Sequence, residues 1–307
     1  MRPSRSLGAL LLLLPALAGI SGPERRLPQI SPVVIPFELV HNRVHVPVEV
    51  NEQGPFDFMI DTMASGTGRL NESLRASLGV EVVGQQSNSD GMRSAPIDVV
   101  EVETLALGPL VRSNVRLLTR EYSRDGMLGR DFFARDLITL DFASQQLRVE
   151  TGALDRSDPR VLGYEHAFFV PARIGDRDVD VVIDTGSSLG LLLPLELADS
   201  LETTDLVEAG SARTANSVLT LYDATLLEPF SIAGNVLTNL DVTFSDVPWI
   251  NLGARVLAEA GLALTLDQRS QLLRLRPGDE TVNRAELRSR SQRTGHSGDH
   301  DAVLTAR

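Results

Sequence analysis

Apolar and polar residues alternate in short runs along most of this chain, as in "VHVPVEV" (44–50), "IDVVEVETLAL" (97–107) and "VDVVID" (179–184). Between the runs lie turn signals such as "NEQGP", "SDG" and "IGD". A period of two punctuated by Gly, Pro, Asn and Asp predicts strands joined by tight turns, and argues against alternating βαβ units. Helix is predicted only in short pieces. "NESLRASL" and "LPLELADSL" follow two Asp-Thr loops, and "GRDFFARD" and "LGARVLAEA" precede two later hairpins.

The pattern repeats. Around Asp61 the chain reads "VHVPVEVNEQGPFDFMIDTMAS" (44–65), and around Asp184 "FFVPARIGDRDVDVVIDTGSS" (168–188). In each, Val-Pro opens a strand, a polar turn follows, and an apolar strand runs into Asp-Thr. Further on, "ITLDFASQQLRV" (138–149) matches "LTLDQRSQLLRL" (264–275). The two matches have offsets of 123 and 126 residues, so two distant features recur with nearly one spacing. This predicts an all-β chain of two copies of one domain of about 120 residues.

The organisation expected around that repeat has five parts. Residues 1–18 read as a signal peptide: Arg2 and Arg5 precede an apolar run from Leu7 to Leu17, and Ala16-Leu17-Ala18 has the small-x-small form of a cleavage site. Residues 30–150 form a first lobe, 151–163 a polar Gly- and Pro-containing linker, and 164–276 a second lobe. Residues 277–307, charged and Ser-rich with few apolar positions, read as a disordered tail. The expectation is export to the periplasm or the extracellular space, with no stable membrane span after processing. An uncleaved leader would instead leave the protein tethered.

Composition narrows the chemistry. With 42% hydrophobic residues, 307 residues can bury ordinary cores. The chain has no cysteine, which excludes disulfides, thiolate metal sites and lipid attachment through sulfur. Every basic residue is arginine. The formal charge is −12; cleavage after Ala18 removes two of the 29 basic residues and none of the 41 acidic ones, which leaves −14. An acidic chain without a basic stripe argues against nucleic acid and anionic membranes as partners.

The candidate chemistry lies in the two Asp-Thr loops. A carboxylate at the end of a buried strand, followed by small residues, can take backbone N–H bonds and leave room for a substrate. If the two copies pack about a pseudo-two-fold axis, Asp61 and Asp184 meet. Two carboxylates at ~3 Å cannot both ionise, so the pair would share one proton. The ionised member could then take a proton from a water that attacks a peptide carbonyl, while the protonated member hydrogen-bonds the developing oxyanion. No metal or cofactor is required. Such a pair titrates as a unit, so acid and base roles are not divided between the two residues at this point.

On Asp184-Thr185-Gly186-Ser187-Ser188, Asp61-Thr62-x-Ala64-Ser65 and "DGMLGRDFF" (125–133), the chain resembles the retropepsin-like and pepsin-like aspartic proteases. The nearest form is a bacterial exported one with both lobes on one chain, and the resemblance covers roughly Val44 to Leu275. It implies two retropepsin-like β-barrel lobes, an aspartic endopeptidase activity, a peptide or protein substrate and a monomeric two-lobe chain. It also implies Asp61 and Asp184 as catalytic residues, and loops supported by Thr62, Thr185, Gly186, Ser65 and Ser187, with the threonines clasping across. A flap would lie at "QQSNSDGMRS" (85–94), its tip at Ser89, Asp90 and Gly91, polar as a mobile lid should be. An apolar-apolar-Gly element passing beneath each loop fits Met127-Leu128-Gly129.

Three positions depart from the family pattern. Met63 replaces the Gly of Asp-Thr-Gly, where a long side chain could crowd the cleft or impose another backbone angle, although Met still offers its backbone N–H to the carboxylate. Asn251-Leu252-Gly253 carries a polar residue where an apolar one belongs. The first flap has no Tyr, which makes the smaller retropepsin type the nearer relative. Met63 motivates an alternative reading, a catalytically silent member of the fold that binds peptides or an envelope partner. Other motifs fare worse. Gly186-x-Ser188-x-Gly190 imitates a serine hydrolase elbow but lacks the α/β setting and a suitable histidine, the later ones being His296 and His300 in the tail. Asp176, Asp178 and Asp180 open like a calcium loop that Val181 and Ser187 then break. His41 and His45 lack the Glu and the helix of a zinc motif.

Overall fold

The computed structural model describes residues 32–165 and 167–279. The predicted leader, residues 1–18, and the tail beyond Asp279 lie outside the described residues. The chain is nearly all β, with four short helical pieces where the sequence placed them: Glu72–Ser77, Arg130–Phe133, Leu195–Ser200 and Ala254–Glu259. The second and third are short 3-10 helices. Among the described residues no helix is long and apolar enough to cross a membrane.

Each copy builds its own sheet. The first has seven strands between Glu38 and Arg120 and an eighth at Gly126–Gly129, and it closes on itself because Arg43–Val50 pairs both with Gln53–Asp61 and with Ser94–Leu107. The second has nine strands between Phe169 and Gly253. Both are lined by alternate apolar side chains: Val44, Val46, Val48 and Val50 in the first copy and Val170, Ala172 and Ile174 in the second are buried, which is the period of two seen in the sequence. The two lobes of the internal duplication are therefore real.

A third sheet joins them. The repeated hairpins come together in one six-stranded sheet, where Leu137–Asp141 pairs antiparallel with Leu262–Asp267. Thr139 lies opposite Thr265, its own counterpart in the repeat. Antiparallel pairing of a segment with its copy puts a local two-fold axis at that point. The two hydroxyls meet there at 2.9 Å, both buried. The repeated aspartates that follow are also buried and serve the turns: Asp141 Oδ1 accepts from Ala143 N and Ser144 N, and Asp267 Oδ1 accepts from Ser270 N. Val161–Gly163, within the interval read as the linker, forms an edge strand of this sheet against Leu272–Pro277. Asp279 is also fixed, by ion pairs with Arg148 and Arg276.

Two buried hydroxyls that satisfy one another make a specific prediction. Thr139→Val alone leaves the Thr265 hydroxyl buried and unpaired and is expected to cost about 1–2 kcal/mol, and Thr265→Val likewise. The double variant removes both partners and should lie close to wild type. A double-mutant cycle by denaturant unfolding checks this, and two additive losses would contradict it.

Candidate functional site

The two aspartates end equivalent strands, Gln53–Asp61 and Arg177–Asp184, whose last residues are buried. Each strand is held in parallel pairing by a short crossing strand, with Asp61 opposite Gly129 and Asp184 opposite Gly253. Those glycines are required for space. A Cβ on Gly129 would lie 2.4 Å from Gly66 O, and one on Gly253 would lie 2.0 Å from Leu189 O, so the crossing strands can pass under the loops only as bare backbone. In return Gly129 N donates to Thr67 O and Gly253 N to Gly190 O.

The loops are tied to each other across the lobes. Thr62 N donates to Thr185 Oγ1 at 3.1 Å, and Thr185 N donates to Thr62 Oγ1 at 3.1 Å. Each hydroxyl then donates onward to the opposite strand, Thr62 to Ile183 O at 2.8 Å and Thr185 to Ile60 O at 2.7 Å. All four bonds are buried. Gly186 fits against the other lobe's carboxyl, since a Cβ there would lie 2.4 Å from Asp61 Cγ. From the first lobe, Arg43 Nε donates to Gly186 O at 3.0 Å and Asn42 Nδ2 reaches Ser188 O.

Both carboxyls are fully buried. Asp61 Oδ1 accepts from Met63 N and Ala64 N, each at 2.8 Å, and Asp184 Oδ1 accepts from Gly186 N at 2.9 Å. Burial, and after it the charge of Asp61, push Asp184 well above the usual carboxylate range, against bonds from Asn251 and the Gly186 and Ser187 N–H groups. Both effects favour the protonated form of this carboxyl. Ser187 supports its loop by accepting from Leu189 N, and Ser65 O accepts from Arg69.

The two departures in the loops behave differently from expectation. Met63 does not crowd the site: its side chain is 1% exposed and packs across the lobe boundary against Val182, with Ala167, Phe169 and Trp249 around it. Its φ is not positive, so the loop asks nothing of this residue that only glycine could give, and its N–H still serves Asp61. Asn251 is not a misplaced polar residue either. It is fully buried and donates from Nδ2 to Asp184 Oδ2 at 2.7 Å. Sequence reasoning missed this, and missed Arg43 and Arg69 as well. Arg69, 1% exposed, reaches Asn88 Oδ1 and Met127 Sδ behind the first loop.

The expected flap is a hairpin, Val82–Ser89 and Ser94–Leu107, with Ser89 to Gly91 at its tip. Gly91 and Arg93 at the tip are exposed, but Asp90 is not. Asp90 is buried and its Oδ1 accepts from Met92 N and Arg93 N. Its Oδ2 accepts from Thr214 Oγ1 at 2.5 Å and Asn216 N at 2.9 Å, at the tip of the second lobe's hairpin, Val207–Arg213 and Val218–Leu226. Asn216 Nδ2 donates back to Asn88 O and Arg93 O. Met92 packs on the second lobe's apolar cluster, which includes Leu189, Leu192, Leu219 and Leu221.

Of the other sequence candidates, Ser188 lies in the second loop, and His45 and Asp178 sit apart from the two carboxyls. His45 is buried and bonded to Asp57 at 2.7 Å; burial holds it below its usual pKa despite that bond. Ser188 Oγ accepts from Arg43. Asp178 pairs at the surface with Arg173.

No curated protein matches the chain. The family model described as aspartyl protease matches residues 46–132 and 170–269, one region in each lobe and together more than half of the sequence. The chain belongs to the aspartyl protease family.

Proposed function

We propose that the protein is an aspartic endopeptidase in which Asp61 and Asp184 share one proton and hydrolyse a peptide bond held between the lobes. The observation that carries this reading is the reciprocal Thr62–Thr185 bonding, which joins the two Asp loops and sets Gly186 against the Asp61 carboxyl. In the singly protonated pair, the ionised carboxylate takes a proton from water as the oxygen attacks the peptide carbon. The protonated partner hydrogen-bonds the carbonyl oxygen as charge develops there. Collapse of the tetrahedral intermediate breaks the C–N bond, and the leaving amine takes a proton from the pair. Peptide and protein substrates, export and a working monomer complete the proposal. The predicted leader supports export.

The hairpin contact gives the cleft a gate. Asp90 is one of the ties between the two tips, beside Asn216, Met92 and the Arg120 bond to Ala215 O, and a chain that enters between the tips parts them. Bonds from Thr214, Arg93 N, Ser217 and Met92 N outweigh burial and hold Asp90 below the usual carboxylate range. A group with a lowered folded pKa stabilises the closed form at pH above its unfolded value, and that support is lost as pH falls through the folded value. Acid therefore loosens the gate.

Cleavage assays on an unstructured protein substrate between pH 3 and 8 test the reading. Asp61→Asn and Asp184→Asn should each lower kcat/KM by roughly a thousandfold. Wild-type activity should fall as pH rises through the raised Asp184 pKa, because the shared proton is then lost. Gly186→Ala should be as damaging as either, by steric conflict with Asp61. Met63→Gly should leave kcat/KM no higher while lowering stability by about 3 kcal/mol, since it empties an apolar pocket. Activity gained only in Met63→Gly would instead identify a silenced, peptide-binding member of the fold, and activity indifferent to both aspartates would remove the reading.

A second outcome concerns the gate. At pH 6, Asp90→Ala should speed amide exchange at Met92, Arg93 and Asn216 by about tenfold or more, and wild type should approach the variant as pH falls below ~4. Equal protection in both proteins at pH 6 would show that the tips are held by something other than Asp90.

A further inference from the structure

Asn251 lies in the crossing strand Ile250–Gly253, opposite Val182 on one side and Leu192 on the other. The first copy has Met127 at the same place, opposite Arg69 and packed with Met59 and Ala64. An amide thus replaces an apolar side chain under one loop only. Its Nδ2 donates to Asp184 Oδ2, while its Oδ1 is buried without a hydrogen-bond partner among the described residues. A buried amide oxygen left unpaired is costly. A half-turn of the amide exchanges its two ends, and a protonated Asp184 then supplies the missing donor.

We infer that Asn251 is a positioning residue that holds Asp184 Oδ2 in both protonation states, donating to the carboxylate and accepting from the acid, so that Asp184 changes charge without turning. Gly186 N fixes the other oxygen. The carboxyl plane is then set from both ends while a proton comes and goes. Its role in turnover rests on the hydrolytic reading above; its effect on titration does not. The charged groups around the pair are Asp61, Arg43 through Gly186 O and Ser188 Oγ, and Arg69 behind the first loop. Arg255, on the helix after Asn251, is paired with Glu259 and Asp241. Tyr122 faces Asp61 and Arg69 with its hydroxyl pushed up by burial and so stays neutral.

The test is a carboxyl carbon NMR titration of wild type, Asn251→Leu and Asn251→Asp, with kcat/KM measured over the same pH range. Leu has the branching of Asn and restores the apolar type found at Met127, and Asp is isosteric. In Asn251→Leu the ionised pair loses a charge-assisted bond, so its upper apparent pKa should rise by about one unit. In Asn251→Asp a third carboxyl should raise it further. The high-pH limb of kcat/KM should move equally, with kcat down by about tenfold and KM changed less than about threefold. Folded variants whose upper pKa stays within about 0.2 units of wild type would overturn the inference. A moved titration in a protein that cleaves nothing would sink the hydrolytic reading and leave the role of Asn251 standing.

Discussion

Everything at the centre of this molecule depends on two threonines that each serve as donor and acceptor for the other. A buried N–H and a buried hydroxyl both need partners, and in a lone lobe the Asp-Thr loop has none within reach. Thr62 and Thr185 supply them only when the lobes meet in one relative position, because each bond has its mirror image across the axis. The interface is thereby specified at the point where the carboxyls stand. The hydrogen bonds that stabilise the assembly also force together two groups that repel when both are ionised. The raised pKa of Asp184 reflects its burial first and the charge of Asp61 second.

The second fixed point on the axis is the Thr139–Thr265 contact in the shared sheet. Two separated contacts, each between a residue and its own repeat partner, define an axis where one contact alone would allow the lobes to rotate. The hairpin tips add a third connection on the far side of the cleft, and this one is unsymmetrical: a carboxylate on one tip faces a hydroxyl and an amide on the other. It is tied by Asp90, by Asn216 on Asn88 O and Arg93 O, by Arg120 on Ala215 O and by Met92 on the second lobe's apolar cluster, and of these only the Asp90 bonds respond to acid.

Much of this was legible from the repeat. Two Asp-Thr loops with a common offset implied two lobes, and small residues after each aspartate implied loops that turn back on their carboxylates. What could not be read were side chains acting across the lobe boundary. Arg43 is an ordinary charged strand residue in sequence, and its bond to Gly186 O arises only after docking. Met63 looked like an obstruction because sequence gives the size of a side chain and not the direction it takes; here it turns into a pocket that includes Trp249. Asn251 left a clear trace, a polar residue where its copy has Met127. The mismatch marked the position but could not reveal that its amide faces a carboxylate.

The differences between the copies follow a physical rule. In a dimer of identical lobes every position beneath the two loops would carry the same residue on both sides. Linking the lobes in one chain lifts that requirement, and the changes are found where a side chain touches something other than its own counterpart. Met63 stands against Gly186, Arg69 against Leu192, and Met127 against Asn251. Thr62 with Thr185 and Thr139 with Thr265 remain alike, because each of these residues is bound by its own copy and changing one would orphan the other. Two chemically equal carboxyls would have no built-in preference for which one holds the shared proton. An arginine behind one loop and an amide on Oδ2 of the other carboxyl remove that equality.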